Sequence, residues 1–156
     1  GEMQGLAKGA WIKDAHDWMM KSQGNIARVI GEKATAMTDI TGFGLVGHLM
    51  KICQASGLAV ELYLDRIPIL PGALDLTSLG VRSTLFEENL NHSSLVKCSR
   101  EDIKWPLLFD PQTSGGLLAA IPEKDVKTVI SELKKYGFYS YIVGEFFPGS
   151  PEIIVS

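Results

Sequence analysis

The sequence has little of several features that would place it in a familiar class. Among 156 residues there are two cysteines, Cys53 and Cys98, too few for a disulfide framework and not at a metal-binding spacing. No apolar run approaches the length that spans a bilayer, and no signal-peptide pattern opens the chain. A net charge of −3 without a Lys/Arg stripe argues against nucleic-acid binding. We therefore expect a cytoplasmic protein that binds neither nucleic acid nor membrane.

What the sequence does have is the composition of an ordinary globular domain, with 46% hydrophobic and 21% charged residues. The helical pattern predicts helices at 3–21, 26–30, 45–55 and from 122 to just before Gly137, with weaker signals at 73–79 and 84–90. The predicted strands are 33–37, 58–64, 117–121, 138–146 and 152–155. Helices and strands thus alternate, which favours an α/β fold with a sheet covered by helices.

The most informative stretch, residues 38–48, reads TDITGFGLVGH and lies between a predicted strand and a predicted helix. Its glycines allow a tight turn and close approach to a ligand, and a helix N-terminus offers unpaired N–H groups. With the Asp39 carboxylate beside it, the stretch has the ingredients of an anion site next to a metal ligand. A plain strand–turn–helix with Thr41 as the N-cap explains the same residues equally well. His48 is predicted to cap a local carbonyl rather than face a ligand.

A second motif, DPQTSGG at residues 110–116, precedes an apolar strand. Successive N–H groups in such a turn can form an anion-binding nest. They can equally serve a tight turn into a buried strand, and the sequence does not separate these two interpretations. We place no chemistry between residues 66 and 108, where 89–94 is typical of an exposed loop.

Residues 42–47, GFGLVG, also match the dinucleotide fingerprint G-x-G-x-x-G, with Glu61 on the next predicted strand. This pattern keeps open the alternative of a dinucleotide-binding oxidoreductase fragment. Two features disfavour it: four residues separate the predicted strand from Gly42, and Asp39 carries a negative charge toward the place where a pyrophosphate would bind. A cation between carboxylate and phosphate would account for Asp39 better.

Residues 38–48 and 110–118 are similar to two signature blocks of the selenophosphate synthetases (selenide, water dikinases), and 2–9 resembles the segment after the two domains of those enzymes join. The resemblance runs in the family's order over nearly the whole chain. It implies the C-terminal domain of the aminoimidazole-ribonucleotide synthetase superfamily, an α/β layered domain with a mixed sheet and partly ferredoxin-like topology. It also implies that 1–156 is a single domain, the C-terminal half of a longer enzyme whose N-terminal ATP-binding domain this sequence lacks.

The resemblance implies a reaction as well: full-length members convert ATP, selenide and water into selenophosphate, AMP and phosphate, with Mg²⁺ and a monovalent cation. Asp39 matches the family's acid that helps hold Mg²⁺ at the nucleotide phosphates. Weaker candidates for lining the phosphate end of the site are Thr113, Ser114, Gly115 and Gly116. No catalytic residue is expected here, because the family's Cys or selenocysteine nucleophile and its adjacent Lys belong to the N-terminal domain.

Two further expectations follow from the N-terminal domain that the sequence is expected to lack. The chain alone is expected to be inactive. The parent enzyme is expected to be a homodimer and the fragment a monomer, since family members dimerise mainly through the N-terminal domain. Two alternatives remain beside the dinucleotide-binding one. They are a related ATP-dependent synthetase or kinase of the same superfamily, and a non-catalytic interaction module that keeps the fold.

Overall fold

The computed structural model of the chain describes residues 1–98 and 102–156. In these ranges the helices are α1 (Gly9–Met19), α2 (Gly24–Gly31), α3 (Gly44–Ser56), α4 (Ala73–Ser78), α5 (Phe86–Asn89) and α6 (Glu123–Lys135). The strands are β1 (Ala36–Asp39), β2 (Leu58–Leu62), β3 (Val96–Cys98), β4 (Leu117–Ala120), β5 (Gly144–Pro148) and β6 (Ile153–Val155). Short 3₁₀ helices lie at Leu64–Arg66, Leu90–Leu95 and Trp105–Leu108. The predicted α/β class is confirmed.

The described strands form two separate sheets. In the first, here called the ribbon, β1 and β4 pair antiparallel with Asp39 opposite Leu117. The second has the order β3-β6-β2-β5, in which β6 runs parallel to both β2 and β3 while β5 is antiparallel to β2. This second sheet is the mixed sheet that the resemblance implied. The ribbon matters for function, because it joins the ends of the two sequence motifs.

Helix α3 connects the two sheets, since it contacts β1 on one side and β2 and β6 on the other. Its apolar residues Val46, Leu49, Met50 and Cys53 are buried in the main core. A smaller cluster of Ile30, Val129 and Leu133 packs α2 against α6 beside the ribbon. Burial of these side chains removes apolar surface from water and stabilises the arrangement. No helix in the described ranges is long and apolar enough to cross a bilayer.

Two elements near the N-terminus begin at other residues than the sequence predicted. The first helix begins at Gly9 instead of residue 3, because the chain turns at Gly5 with a left-handed φ of 67°. The first strand was predicted at 33–37 but spans Ala36–Asp39, because pairing with β4 extends it toward the glycines. Asp39 therefore ends the strand instead of lying in a gap behind it.

Differences of the same kind occur in the second half. The strand predicted at 138–146 begins only at Gly144, where pairing with Leu62 starts, while Phe138 packs against the α2–α6 cluster. Strand β3 was not predicted, because its three residues are too short for a visible alternation. The predicted end of α6 is confirmed, with Gly137 just beyond it at a φ of 76°.

Candidate functional site

The two sequence motifs form interlocking turns at one end of the ribbon, turn 1 (residues 40–44) and turn 2 (residues 109–116). Three backbone hydrogen bonds join them: Ile40 N–H to Gly116 O (3.0 Å), Gly115 N–H to Ile40 O (3.1 Å) and Gln112 N–H to Thr41 O (3.1 Å). Each turn thus satisfies backbone groups of the other, which would otherwise need water or side chains. Motifs that are far apart in sequence therefore form one structural unit.

Two glycines make this close approach possible. Gly44 has a φ of 67°, and a Cβ there would lie 2.8 Å from the carbonyl carbon of Phe109. A Cβ at Gly115 would lie 2.5 Å from the carbonyl oxygen of Ile40. Gly42, by contrast, has open space around it. The glycines at 44 and 115 are therefore required by the contact between the turns, independently of any ligand.

A surface cleft of about 390 Å³ opens beside the interlocked turns. Its lining comes from four segments: the start of α2, the end of β1, turn 2 and β4. The lining residues are Lys21, Gln23, Gly24, Ala27, Asp39, Ser114, Gly115 and Leu117. Three of the five residues that the resemblance implied for the site therefore share one cleft.

Asp39 supplies the negative charge of this cleft. Its side chain is exposed at the end of β1, and it makes no hydrogen bond or ion pair with any residue in the described ranges. A carboxylate that only stabilised a turn would be expected to accept nearby N–H groups. An exposed carboxylate without a protein partner is available to a cation.

Of the four residues of turn 2 that the resemblance implied for the site, only two line the cleft. Ser114 and Gly115 line it, whereas Thr113 and Gly116 are exposed outside its lining. The N–H of Gly115 already donates to Ile40 and is not free for an anion, so at this residue the tight-turn interpretation holds. Ser114 has a φ of 55°, the only positive φ of a non-glycine residue in the described ranges. Such strained backbone is concentrated at functional sites.

Sequence reasoning missed the positive side of the cleft. Lys21 was predicted only as the last residue of the first helix and Gln23 only as part of the break after it, yet both line the same cleft as Asp39. Helix α2 begins at Gly24, so its N-terminal N–H groups and positive dipole end lie at the same place. The cleft thus combines a carboxylate with a lysine and a helix N-terminus, which suits a phosphate accompanied by a cation.

Gln23 holds its position through turn 2. Its Nε2 donates to Gly115 O at 2.7 Å, which fixes the side chain and leaves the other amide atom, Oε1, buried without a hydrogen-bond partner among the described residues. Buried polar atoms are nearly always paired, so an orphaned oxygen in a cleft is a position for a donor or a cation.

The donor set can be tested against Mg²⁺, the cation that the resemblance implies. Among the described residues no group of three or more His, Cys, Asp or Glu side chains could hold a metal. The cleft instead offers oxygen atoms of Asp39, Ser114 and Gln23. Mg²⁺ prefers oxygen ligands and is commonly bound through one or two carboxylates together with substrate phosphates. These residues fit a cation shared with phosphates and do not fit one held by this chain alone.

His48 supports turn 1 from behind. Its ring is buried, its Nε2 accepts the Thr41 N–H at 3.1 Å, and its Nδ1 lies 3.3 Å from Thr38 Oγ1, which donates to Asp39 O at 3.0 Å. The expectation that His48 caps a carbonyl is wrong, because the ring accepts a backbone N–H instead. Burial, and secondarily the charge of Lys51, lowers the pKa of His48. The lowered pKa favours a neutral ring. Because Nε2 accepts the Thr41 N–H, the proton of the neutral ring lies on Nδ1.

Asn89 was also misplaced by sequence reasoning, which put residues 89–94 in an exposed loop. The residue is only 5% exposed, and its Nδ2 donates to Gly42 O and to Phe109 O, each at 2.9 Å. Residues Leu90–Leu95 form a 3₁₀ helix. A segment to which we assigned no chemistry therefore contacts both turns.

The dinucleotide-binding alternative fails on topology. A dinucleotide-binding unit needs two parallel strands of one sheet joined by a helix. Here β1 and β2, on either side of α3, belong to different sheets, and β1 pairs antiparallel with β4. One of the two sequence arguments also needs correction, because only two residues, not four, separate β1 from Gly42. The glycines serve the contact between the turns instead.

Comparison with known families gives one match over most of the chain. The model of the AIR synthase related protein C-terminal domain matches residues 14–156. A selenide, water dikinase of Haemophilus influenzae (strain 86-028NP) is 39% identical over 156 residues, which cover 99% of this chain and 42% of that protein. A selenide, water dikinase of Escherichia coli O139:H28 is 37% identical over 151 residues, covering 94% and 40%. The chain thus spans less than half the length of these relatives.

Solved structures support the same fold. Escherichia coli HypE, a hydrogenase maturation protein, superposes with a TM-score of 0.62 at 15% identity, over 88% of this chain and 37% of that one. Thiamine monophosphate kinase from Aquifex aeolicus superposes with a TM-score of 0.53 at 14% identity, over 99% and 43%. At these identities the similarity concerns the fold alone.

Proposed function

This chain belongs to the family of AIR synthase related C-terminal domains, and on that premise we propose that it is the C-terminal domain of a selenophosphate synthetase. The complete enzyme would make selenophosphate, AMP and phosphate from ATP, selenide and water. Relatives named selenide, water dikinase at 37% and 39% identity over nearly the whole chain support this assignment. In this proposal residues 1–156 are a single domain, and an N-terminal domain supplies the remainder of the site.

One observation carries the proposal: Asp39 and turn 2 line one cleft at the end of the ribbon together with Lys21 and the start of α2. A carboxylate, a cationic side chain and a helix N-terminus side by side would be a poor arrangement for an apolar ligand. They suit a phosphate group whose charge is shared with a cation.

The charged and polar groups of the cleft then have distinct roles. Asp39 would supply one oxygen ligand to Mg²⁺, and the bound ion would neutralise charge on the phosphoryl group. Lys21 and the N-terminal N–H groups of α2 attract the phosphate oxygens electrostatically. Gln23 fixes Gly115 through its hydrogen bond, so that turn 2 forms a rigid wall of the cleft, and Ser114 lines that wall. The remaining Mg²⁺ ligands and the nucleophile belong to the N-terminal domain.

The proposal includes the substrates and the assembly. ATP and selenide are the substrates, the parent enzyme is a homodimer and the location is cytoplasmic. The alternative of another ATP-dependent synthetase or kinase of the superfamily has weaker support, because HypE and the thiamine monophosphate kinase are only 15% and 14% identical. A non-catalytic module would not require Asp39, Ser114 and Lys21 to line one cleft.

The substitution Asp39→Asn in the complete enzyme tests this function. Asn keeps the size and one oxygen but removes the charge that faces Mg²⁺. We expect selenide-dependent ATP cleavage to fall by roughly a hundredfold or more, since each ~1.4 kcal/mol of lost transition-state stabilisation is a factor of ten. The matched control is Asp75→Asn, an exposed aspartate in the first turn of α4, which should leave the rate unchanged.

The assay is AMP release across a Mg²⁺ titration, with thermal melting as the measure of folding. A normal rate in Asp39→Asn together with a lowered melting temperature would make Asp39 a structural residue and remove the metal assignment. The 156-residue chain alone should release no selenide-dependent AMP above a control without protein. Turnover by the chain alone would show that the nucleophile lies in this domain and not in an N-terminal domain.

A further inference from the structure

We propose that Asn89 is a positioning residue for the cleft, acting through the two turns that carry its ligand groups. The inference rests on the proposed function for what the cleft binds, and on the hydrogen bonds of Asn89 for how the cleft is held. Asn89 lies outside both sequence motifs.

The contacts of Asn89 are specific to the junction between the turns. One Nδ2 group donates both of its hydrogens to backbone carbonyls, Gly42 O in turn 1 and Phe109 O in turn 2, at 2.9 Å each. Since an amide nitrogen has two donors, both are used. These carbonyls lie 47 and 20 residues away along the chain, so the side chain connects segments that local structure does not hold together.

The surroundings make this connection rigid. Asn89 is 5% exposed and Phe109 is completely buried, so water does not compete for the Phe109 carbonyl, whereas the hydrogen bond to Gly42 is partly buried. The backbone of Gly44 packs directly against Phe109, close enough to leave no room for a Cβ. A buried amide with both donors paired fixes one arrangement more strongly than an apolar side chain of the same size would.

The link from Asn89 to the cleft runs through a few residues. Gly42 follows Ile40 and Thr41, whose backbone groups bond turn 2, and Asp39 directly precedes them at the end of β1. Phe109 begins turn 2, which ends at Ser114 and Gly115 in the cleft wall. By fixing one point in each turn, Asn89 sets the separation between the carboxylate of Asp39 and the wall opposite.

The first test measures the turns themselves, without ligand, by amide hydrogen exchange of the 156-residue chain. Asn89→Asp removes both N–H donors at nearly constant shape. Asn89→Ser is a smaller and milder change, included in case Asn89→Asp does not fold. Asn91→Asp, at an exposed position two residues on, is the matched control. We expect the N–H groups of Ile40, Gln112 and Gly115 to exchange at least tenfold faster in both Asn89 variants and at the parental rate in the control.

The location of the change decides the interpretation. Exchange that accelerates equally in the buried part of α6, around Val129 and Leu133, would show a general loss of stability and overturn the positioning role. Unchanged exchange in the turns of a folded variant would overturn it as well. Acceleration confined to the two turns would support it.

The second test uses the complete enzyme and separates this inference from the proposed function. In Asn89→Ser we expect the Mg²⁺ concentration for half-maximal rate to rise at least fivefold, with a smaller change in kcat. If Asp39→Asn changes the Mg²⁺ dependence and Asn89→Ser does not, the positioning role is refuted while the proposed function stands. If neither substitution changes it, the proposed function fails and the role assigned to Asn89 fails with it.

Discussion

Gly44→Ala should destabilise the protein far more than the same change at Gly42, two residues earlier in the same motif. Gly44 has a left-handed φ of 67°, and an added Cβ would meet the carbonyl carbon of Phe109 at 2.8 Å and the carbonyl oxygen of Leu108 at 3.0 Å. All of these atoms are backbone atoms and cannot rotate away. At Gly42 no heavy atom lies within 4 Å of the added Cβ, and its φ is not left-handed.

The magnitude follows from two contributions. A left-handed conformation costs a non-glycine residue about 1–2 kcal/mol. Forcing an extra carbon into a packed region costs about 1–3 kcal/mol. Together they predict a loss of roughly 2–5 kcal/mol in the free energy of unfolding for Gly44→Ala. At about 2–4 °C per kcal/mol for a domain of this size, the melting temperature should fall by roughly 4–20 °C.

Gly42→Ala is the matched control, and it should be neutral or slightly stabilising, by up to about 1 kcal/mol, because alanine restricts the unfolded chain. Urea denaturation of the 156-residue chain gives the free energies, and thermal melting gives the temperatures. Equal destabilisation by the two substitutions would refute the reasoning, since it would mean that the motif needs its glycines for some common purpose. A neutral Gly44→Ala would show that turn 1 does not pack against Phe109.

Two further predictions follow from the same part of the structure. The folded-state pKa of His48 lies below its ordinary value of 6.5, so the unfolded state binds more protons, and the stability due to neutral His48 is complete above about pH 6.5 and is lost as the pH falls toward the folded pKa. The melting temperature should therefore drop more between about pH 7.5 and pH 5.5 in the parent chain than in His48→Gln. Equal drops in the two proteins would count against a buried neutral ring. Isothermal titration of NAD into the chain should show no binding, because β1 and β2 lie in different sheets; micromolar affinity would restore the dinucleotide-binding alternative.

Local patterns in the sequence were sufficient for much of the fold. The helical pattern predicted both α3 and α6 with nearly correct bounds. These signals depend on neighbours three or four residues away, so they are readable without tertiary structure. The boundaries of β1 and β5 were displaced, because a strand ends where its partner ends, and the partner is a distant segment.

The site was predictable only as far as its motifs extend. The resemblance singled out Asp39, Ser114 and Gly115, which the structure brings into one cleft. Lys21 and Asn89 were missed, because each is a polar residue in a polar segment and gives no periodic signal. The burial of Asn89 depends on where Gly42 and Phe109 meet, and that is a property of the assembled chain.

The pairing of β1 with β4 has a consequence for the order of folding. Helices α3 and α6 consist of contacts between near neighbours and can form early, whereas the ribbon must close a loop that contains α3 to α5 and the strands between them. Closure of a long loop has an entropic cost that is recovered only when the far contacts form, and such non-local pairing slows folding. The second sheet closes a still longer loop, because Val60 of β2 pairs with Ile153 of β6. We therefore expect both sheets to form after the helices, and the cleft that contains Asp39 to be complete only when the ribbon has paired.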